Sequence, residues 1–258
     1  MNGLAEYWRK TGAGRRILPA LILTAVISIA AAQGATITVG AEGCDYASIQ
    51  KGVDAAKAGD TVSVQSGTYR ENLVVDKTLI LRGRDTGSGM PVVDGRGVGS
   101  AIILLADQIT LEGFVVKNAG HGKAGIEVNS DRNYIRNNLV TENRWHGICL
   151  SDSDENVITG NVVSKNRYGI WIPAGSDGNR ISANELLENS HGNAVDAGFN
   201  RWDMNAYDDL GEGQTRYRIT GGSNADERPK AATPEAEEAE TKTSTITVKI
   251  TIPTPIIG

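Results

Sequence analysis

The fold is decided by three consecutive blocks, which read NYIRNNLVTENRWHGICLSDSDE from Asn133, NVITGNVVSKNRYGIWIPAGSDG from Asn156 and NRISANELLENSHG from Asn179. Each block opens with Asn-x-Ile, and this opening returns after 23 residues in both steps. Two further Asn follow at constant distances inside every block, and a Gly comes after them. A period of this length indicates a solenoid, in which successive turns of the chain stack on one another.

The residues between these Asn and Gly positions favour strands over helices. Asn and Gly at fixed interior places are poor helix formers. A leucine-rich repeat would need several Leu in each block, and the segment 118–205 contains four. What remains is short apolar alternation, as in Ile148-x-Leu150 and Ile170-x-Ile172, which is typical of strands. We therefore predict an all-β, right-handed parallel β-helix.

The repeated Asn residues are best interpreted as structural. Stacked parallel strands bring equivalent positions to about 4.8 Å, so that one Asn amide can hydrogen-bond to the next. Asn also tolerates the left-handed backbone that a tight corner demands. The predicted ladder consists of Asn133, Asn156, Asn179, Asn138, Asn161, Asn184, Asn143, Asn166 and Asn189.

A short helix is predicted before the coils. Ile49, Val53 and Ala56 lie on one face of a helix that we expect to end at Gly59-Asp60. Such a helix can cover the open end of a solenoid, where the first strands would otherwise expose unpaired edges. We predict a capping role for it.

Composition and the two termini limit the classes of protein. The chain has 258 residues, is 40% hydrophobic and carries a formal charge of −5, which excludes general disorder and argues against nucleic-acid binding. Arg15-Arg16 followed by uncharged residues 17–32 predicts an export signal cleaved after Ala32, an uncleaved membrane anchor being the alternative. We expect an extracellular, cell-surface or periplasmic location. Residues 33–229 form the predicted coil, 230–244 an acidic linker and 245–258 a strand-like tail.

The chain resembles the NosD-like right-handed parallel β-helix proteins, over about residues 36–229. The resemblance is carried by the Asn-x-Ile coils and by motifs at both ends: Asp45-Tyr46, Gly59 to Val64, Gly67-Thr68-Tyr69, Glu71-Asn72, Lys77-x-Leu79-x-Leu81-x-Gly83 and Arg216 to Asp226. It implies a three-faced β-helix and, as in the best-known members, copper delivery to a periplasmic enzyme. Many members have no assigned activity.

Aromatic residues and His define the first candidate site. His146, Tyr168 and His191 precede the block Gly and are expected to form one column, beside Trp145 and Trp171. Such a surface would suit stacking on sugar rings or one loosely bound copper ion; ordinary solvated surface residues are the alternative. We expect His146 and His191 to lie about two strand spacings apart, too far to share a metal ion directly.

Two further sets could bind metal. Alternation places Cys149 on the outside of its strand, three residues from His146, and imidazole with thiolate is a pair that favours copper. We do not expect Cys149 to form a disulfide with the distant Cys44. The second set is Asp131, Asp154 and Asp177, which would either cap turns or bridge calcium. No cofactor is certain; copper and calcium are the candidates.

Catalysis is the least supported alternative. A polysaccharide lyase, hydrolase or epimerase would draw on two acidic groups, Asp152, Asp154 and Glu155 in one and Asp203, Asp208 and Asp209 in the other. Glycoside hydrolysis needs two carboxyls at a set separation, and no such pairing is visible. We therefore expect an exported, monomeric, non-catalytic β-helix that binds a polysaccharide or a cell-surface component. The alternatives are a copper-delivery partner of a periplasmic metalloenzyme and a polysaccharide-active enzyme; a membrane contact would require an uncleaved signal.

Overall fold

The computed structural model describes residues 34–232, which form a parallel β-solenoid of about nine turns. The predicted export signal and tail, and most of the predicted linker, lie outside these residues. In chain order the elements are β1 (Thr36–Val39), α1 (Ile49–Ala55), β2 (Thr61–Gln65), β3 (Thr68–Tyr69), β4 (Leu73–Val75), β5 (Ile80–Arg84), β6 (Val92–Asp94), β7 (Ile102–Leu104), β8 (Thr110–Glu112), β9 (Val115–Lys117), β10 (Ala124–Val128), β11 (Tyr134–Arg136), β12 (Leu139–Thr141), β13 (His146–Leu150), β14 (Val157–Thr159), β15 (Val162–Ser164), β16 (Tyr168–Ile172), β17 (Arg180–Ser182), β18 (Glu185–Leu187), β19 (Ala194–Asp196), β20 (Arg201–Asp203), β21 (Ala206–Tyr207), β22 (Tyr217–Arg218), β23 (Ala225–Asp226) and β24 (Lys230–Ala231).

These strands form three sheets. The first sheet has the order β1-β2-β5-β8-β11-β14-β17-β20-β23-β22, the second β24-β21-β18-β15-β12-β9-β6-β3, and the third β19-β16-β13-β10-β7-β4. Neighbouring strands within a sheet come from successive turns and are parallel, and within residues 34–232 the pair β22–β23 is the one antiparallel exception. The predicted fold class, an all-β parallel β-helix with a short helix before its coils, is confirmed.

Apolar side chains fill the interior as vertical stacks. Ile148 and Ile170 are fully buried and lie opposite each other in the third sheet, as the alternation predicts. A second stack of the same sheet contains Leu150 and Ile172. The inward residues of the first sheet are Val62, Leu81, Leu111, Ile135, Ile158, Ile181 and Trp202. The short strands of the first sheet thus bury their middle residue, whereas those of the third sheet bury two residues on either side of an outward one.

Columns of Asn side chains hold the corners. In each of three columns, Oδ1 of one Asn accepts a hydrogen bond from the backbone N–H of the equivalent Asn in the preceding turn, at 2.8–3.1 Å. The columns extend past the repeated blocks to Asn200 and Asn205. The amide nitrogens also donate to main-chain carbonyls, as Asn161 Nδ2 does to Ile135 O at 2.9 Å. The stacked turns are thereby joined through buried side chains as well as through strands.

The ladder Asn residues tolerate a left-handed backbone but do not themselves adopt it. The positive φ belongs to the residue just before each of them: Arg132 (56°), Asn137 (54°) and Glu142 (55°) in the first block. All three preceding side chains are exposed. The physical reason is that the ladder Asn must point inward to reach the next N–H, so the left-handed turn falls on its solvent-facing neighbour.

The two ends of the solenoid are closed differently. At the N-terminal end, α1 buries Ile49 and Val53 against β1, β2 and β4, and it ends at Ala55, before the predicted Gly59. At the other end, Trp202 lies on Ile181 and is followed in the same column by Asp226. The buried Asp226 carboxylate accepts hydrogen bonds from the backbone N–H and the side-chain amide of Asn205. The interior thus changes from aliphatic to hydrogen-bonded at this end.

Candidate functional site

The outer surface of the third sheet carries the most unusual side chains. Register pairs His146 with Tyr168, and Cys149 with Trp171, on β13 and β16. Glu127, on β10 one turn earlier, lies opposite Cys149. Strand alternation determines that Cys149 and Trp171 face outward, because each lies between two buried residues of its strand. The same holds for Glu127, between Ile126 and Val128.

Six rings form one continuous cluster on this surface, which we call the aromatic face: His121, Trp145, His146, Tyr168, Trp171 and His191. The His146 and Trp171 rings are stacked, with centroids 5.1 Å apart and 23° between their planes. Tyr168 and Trp171 meet edge to face at 4.9 Å. The four central rings are half-buried, whereas His121 and His191 are exposed. All five aromatic residues predicted from the sequence are therefore brought together.

Two residues in or beside the aromatic face were not predicted from the sequence. His121 lies 4.5 Å from Trp145 between ring centroids, and the Arg167 guanidinium lies 4.0 Å above the Trp145 ring. Both lie in corners where no strand alternation exists to show their direction. One sequence signal could have indicated a cation here. Asn-Arg-Trp at 143–145 returns as Asn-Arg-Tyr at 166–168, which aligns Arg144 with Arg167.

His191 lies one turn after Tyr168. Its backbone N–H donates to the Arg167 carbonyl at 2.8 Å, in the same way as the Tyr168 N–H donates to the Trp145 carbonyl at 2.9 Å. The His191 and Tyr168 ring centroids are 5.8 Å apart, as are those of Tyr168 and His146. Register then pairs Ile170 with Ala194, a step of 24 residues, whereas Ile148 pairs with Ile170 after 22, so the extra residue of this turn comes after His191.

A cavity of about 240 Å³ opens beside the aromatic face, and its lining includes Glu127, His146, Cys149 and Trp171. Burial lowers the pKa of the His146 imidazole to about 4, against the opposing influence of the Glu127 carboxylate. Burial also raises the pKa of the Cys149 thiol to about 11. At neutral pH this cavity therefore presents a neutral imidazole and a protonated thiol.

These residues do not fit a preformed copper site. Copper would use the neutral His146 nitrogen, but it would have to displace the Cys149 proton, which burial retains. Within residues 34–232, no group of three His, Cys, Asp or Glu side chains is arranged to hold a metal ion. Cys149 faces outward as predicted but is covered by its neighbours, and both it and Cys44 are free thiols.

The Asp column lies on another corner, between the third and first sheets. The Asp131 carboxylate accepts from the Asp154 backbone N–H at 2.8 Å, and that of Asp154 from Asp177 N–H at 2.7 Å. The Asp177 carboxylate accepts from Phe199 N–H in the same way. Each carboxylate thus caps a turn of the next coil.

The acidic residues considered for catalysis do not converge. Asp203 is buried and forms an ion pair with Arg228. Asp208 and Asp209 both accept hydrogen bonds from Asn193 Nδ2, at 2.8 Å each. Asp152 and Glu155 are exposed on the corner that carries the Asp column. The arrangement gives structural partners to the buried acids and leaves the others in solvent.

Comparison with solved structures shows the same fold in remote proteins. The alginate lyase from Paenibacillus sp. str. FPU-7 is 14% identical, with a TM-score of 0.54 over 76% of this chain and 73% of its own. The Escherichia coli protein ybhc is 12% identical, with a TM-score of 0.52 over 67% of this chain and 64% of its own. No curated protein sequence matches significantly. Among the described residues, no helix has the length and apolarity needed to cross a membrane.

One protein family matches the sequence directly. The model of the family described as "Periplasmic copper-binding protein (NosD)" matches residues 90–223, slightly more than half of the 258 residues. The matched segment contains every repeated Asn column and the whole aromatic face, and it ends just before the buried Asp226. The chain therefore belongs to the NosD family of parallel β-helix proteins.

Proposed function

We propose that this is an exported, non-catalytic β-helix protein that binds a carbohydrate chain on the aromatic face. The observation that carries the proposal is the uninterrupted run of ring contacts from His121 to His191 across successive turns. Half-buried Trp and Tyr rings present a flat apolar surface with a polar edge, which matches the apolar faces and hydroxyl rims of sugar rings. The periplasmic description of the family supports export.

The position of the Trp rings outside the aliphatic core supports a binding role over a purely structural one. Trp145 and Trp171 pack against other aromatic side chains and not into the aliphatic interior, where β13 and β16 already bury Ile148 and Ile170. Their removal would leave the core stacks intact. An outer cluster that the core does not need is most simply explained by a ligand.

A binding role is preferred over catalysis because of the cavity beside the face. Glu127 is the one carboxylate among the residues that line it, and its oxygens already accept hydrogen bonds from Ser100 Oγ and Asn129 Nδ2. Glycoside hydrolysis draws on two carboxyl groups across the scissile bond. The proposal therefore assigns Glu127 to orienting a ligand hydroxyl.

Affinity electrophoresis of the purified protein through gels of neutral and acidic polysaccharides tests the proposal, with an assay for released sugar. We expect retardation in at least one gel without sugar release, and loss of retardation in Trp145→Ala and Trp171→Ala. Tyr134→Ala is the matched control, because Tyr134 is half exposed on the first sheet, away from the aromatic face. Free migration in every gel, or equal loss in the control, would overturn the proposal. Sugar release would overturn its non-catalytic part.

Copper is the second candidate ligand, favoured by the family description and by the presence of His146 and Cys149 in one cavity. Calorimetric titration with Cu(I) and with Cu(II) tests copper binding separately. Binding that disappears in both His146→Gln and Cys149→Ser, with unchanged melting temperature, would establish a copper role. Binding that survives both substitutions would exclude this cavity.

A further inference from the structure

We propose that the carbohydrate bound by the aromatic face carries carboxylate groups, and that a row of cations beside the face recognises them. The inference rests on the proposed function and names its substrate class. The row, which we call the basic stripe, consists of Arg96, Lys123, Arg144 and Arg167 on the corner between the second and third sheets. These residues follow β6, β9, β12 and β15, one from each of four successive turns.

The basic stripe runs along the aromatic face. The backbone N–H of Arg167 donates to the Trp145 carbonyl at 3.0 Å, and that of His146 donates to the Lys123 carbonyl at 3.1 Å. Successive turns are about 4.8 Å apart, which is comparable to the length of one pyranose unit in an extended chain. An acidic polysaccharide lying along the solenoid axis can therefore bring a charge to each turn while its rings lie on Trp145 and Trp171.

The four cations of the basic stripe form no ion pair within the described residues. No carboxylate of residues 34–232 lies within ion-pair distance of the four stripe residues, whereas Arg82 and Arg136 share Glu112, and Arg132 pairs with Asp107. The whole chain has a formal charge of −5, so an unpaired basic row is a local feature. Unpaired cations in a row create an attractive field for a polyanion.

Arg167 is held ready for a planar anion. Its guanidinium lies over the Trp145 ring, with Cζ 4.0 Å from the ring centroid. Its Nε is buried without a hydrogen-bond partner, the one side-chain nitrogen or oxygen in this state within the described part of the chain. A guanidinium can bind a carboxylate through two parallel hydrogen bonds. Because Nε is covered, a ligand carboxylate would engage the two terminal Nη groups of this half-buried side chain.

Arg96 and Arg144 border a second cavity, of about 330 Å³, together with Asp94, Gly97 and Asn118. The Asp94 carboxylate accepts from Arg96 N–H at 2.9 Å and from Asn118 Nδ2 at 3.0 Å. That acid is thus occupied by a backbone group and an amide, and the two guanidiniums remain available. Arg144 adjoins Trp145 in the chain, so this cavity continues the aromatic face.

The test compares the purified protein with Arg96→Gln/Arg144→Gln in gels of polygalacturonate, alginate and a neutral β-glucan, at low and high salt. Arg180→Gln is the matched control, because Arg180 is an exposed Arg of the same coil region on the first sheet. We expect the uronate polymers to retard the protein. The affinity calculated from the retardation should fall about tenfold in the double variant and should also fall at high salt. It should be unchanged in the control. Dextran sulfate and single-stranded DNA serve as non-carboxylate polyanions.

The outcomes separate this inference from the proposed function. Equal retardation by the neutral glucan, insensitive to the double variant, would overturn the inference and leave carbohydrate binding standing. Free migration in all gels would overturn both. Equal binding of dextran sulfate or DNA would also overturn it, since the recognised group would then not be a carboxylate. Binding that is lost in the Gln variant and only partly restored in Arg144→Lys/Arg96→Lys would support recognition of a carboxylate by the guanidinium groups.

Discussion

Glu71 and Lys77 hold the opposite ends of the capping helix. The Glu71 carboxylate accepts hydrogen bonds from the backbone N–H groups of Ile49 and Gln50, at 2.9 and 3.0 Å. The Lys77 ammonium donates to the carbonyls of Val53 and Asp54, at 2.9 and 2.7 Å. Both residues flank β4, so one turn of the coil satisfies the unpaired groups at both ends of α1 with the charges that its dipole favours.

Loss of either contact should loosen the cap. We expect Glu71→Ala and Lys77→Met each to lower the free energy of unfolding by about 2 kcal/mol, because backbone groups at the helix ends lose charged partners. Urea denaturation followed by circular dichroism measures the change. Lys51→Met, on the exposed side of the same helix, should alter stability by less than about 0.5 kcal/mol. Equal effects for Lys51 and Lys77 would contradict the clamping role.

A charge in the interior should unfold the coil. Ile148 and Ile170 are fully buried in the same stack, and Ile148→Asp or Ile170→Asp would put a carboxylate there without a partner. We expect a loss of about 4 kcal/mol or more, seen as a large fall in melting temperature. Val157→Asp, at an outward position beside Arg180, is the control. A mutant that melts like the parent would show that the strand faces are assigned wrongly.

Replacement of a ladder Asn by an apolar side chain of similar shape should destabilise the coil. Asn161 is fully buried, and its Oδ1 accepts from Asn138 N–H at 3.1 Å while its Nδ2 donates to Ile135 O. Asn161→Leu leaves both partners without a hydrogen bond, and we expect it to lower the free energy of unfolding by about 3 kcal/mol. The neighbouring Asn137 is exposed with φ of 54°, so Asn137→Gly should be neutral or slightly stabilising. Equal losses would refute the ladder.

Stability should depend on pH through His146. Burial lowers the pKa of its imidazole to about 4 in the folded chain, below the 6.5 of an exposed imidazole. The unfolded chain therefore binds a proton first as the pH falls. The His146 contribution is complete above about pH 6.5 and is lost progressively down to about pH 4.

Because the ring is only partly buried, the loss amounts to about 1–2 kcal/mol. Denaturation at pH 7 and pH 4.5 measures it. His146→Phe should reduce the difference between the two pH values by this amount. An unchanged difference would show that the imidazole is protonated as easily in the folded chain as in the unfolded one.

Periodicity predicted the strands and their faces, because any side chain repeated once per turn has the same direction in each turn. It placed His146 opposite Tyr168 and buried Ile148 and Ile170. It did not show that the step from Ile170 to Ala194 is 24 residues, because the spacing of the repeated letters conceals the extra residue after His191. Corner residues such as His121 and Arg167 were missed for the related reason that their directions depend on backbone turns and not on alternation.

The Asp226 carboxylate ends one of the Asn columns. Each Asn of the column through Asn161, Asn184 and Asn205 accepts a hydrogen bond from the preceding turn and donates one to the next, so each can be followed by another. Asp226 accepts from Asn205 and has no amide hydrogen to donate. The exchange of an amide nitrogen for a carboxylate oxygen therefore leaves this chain of hydrogen bonds without a donor for a further member.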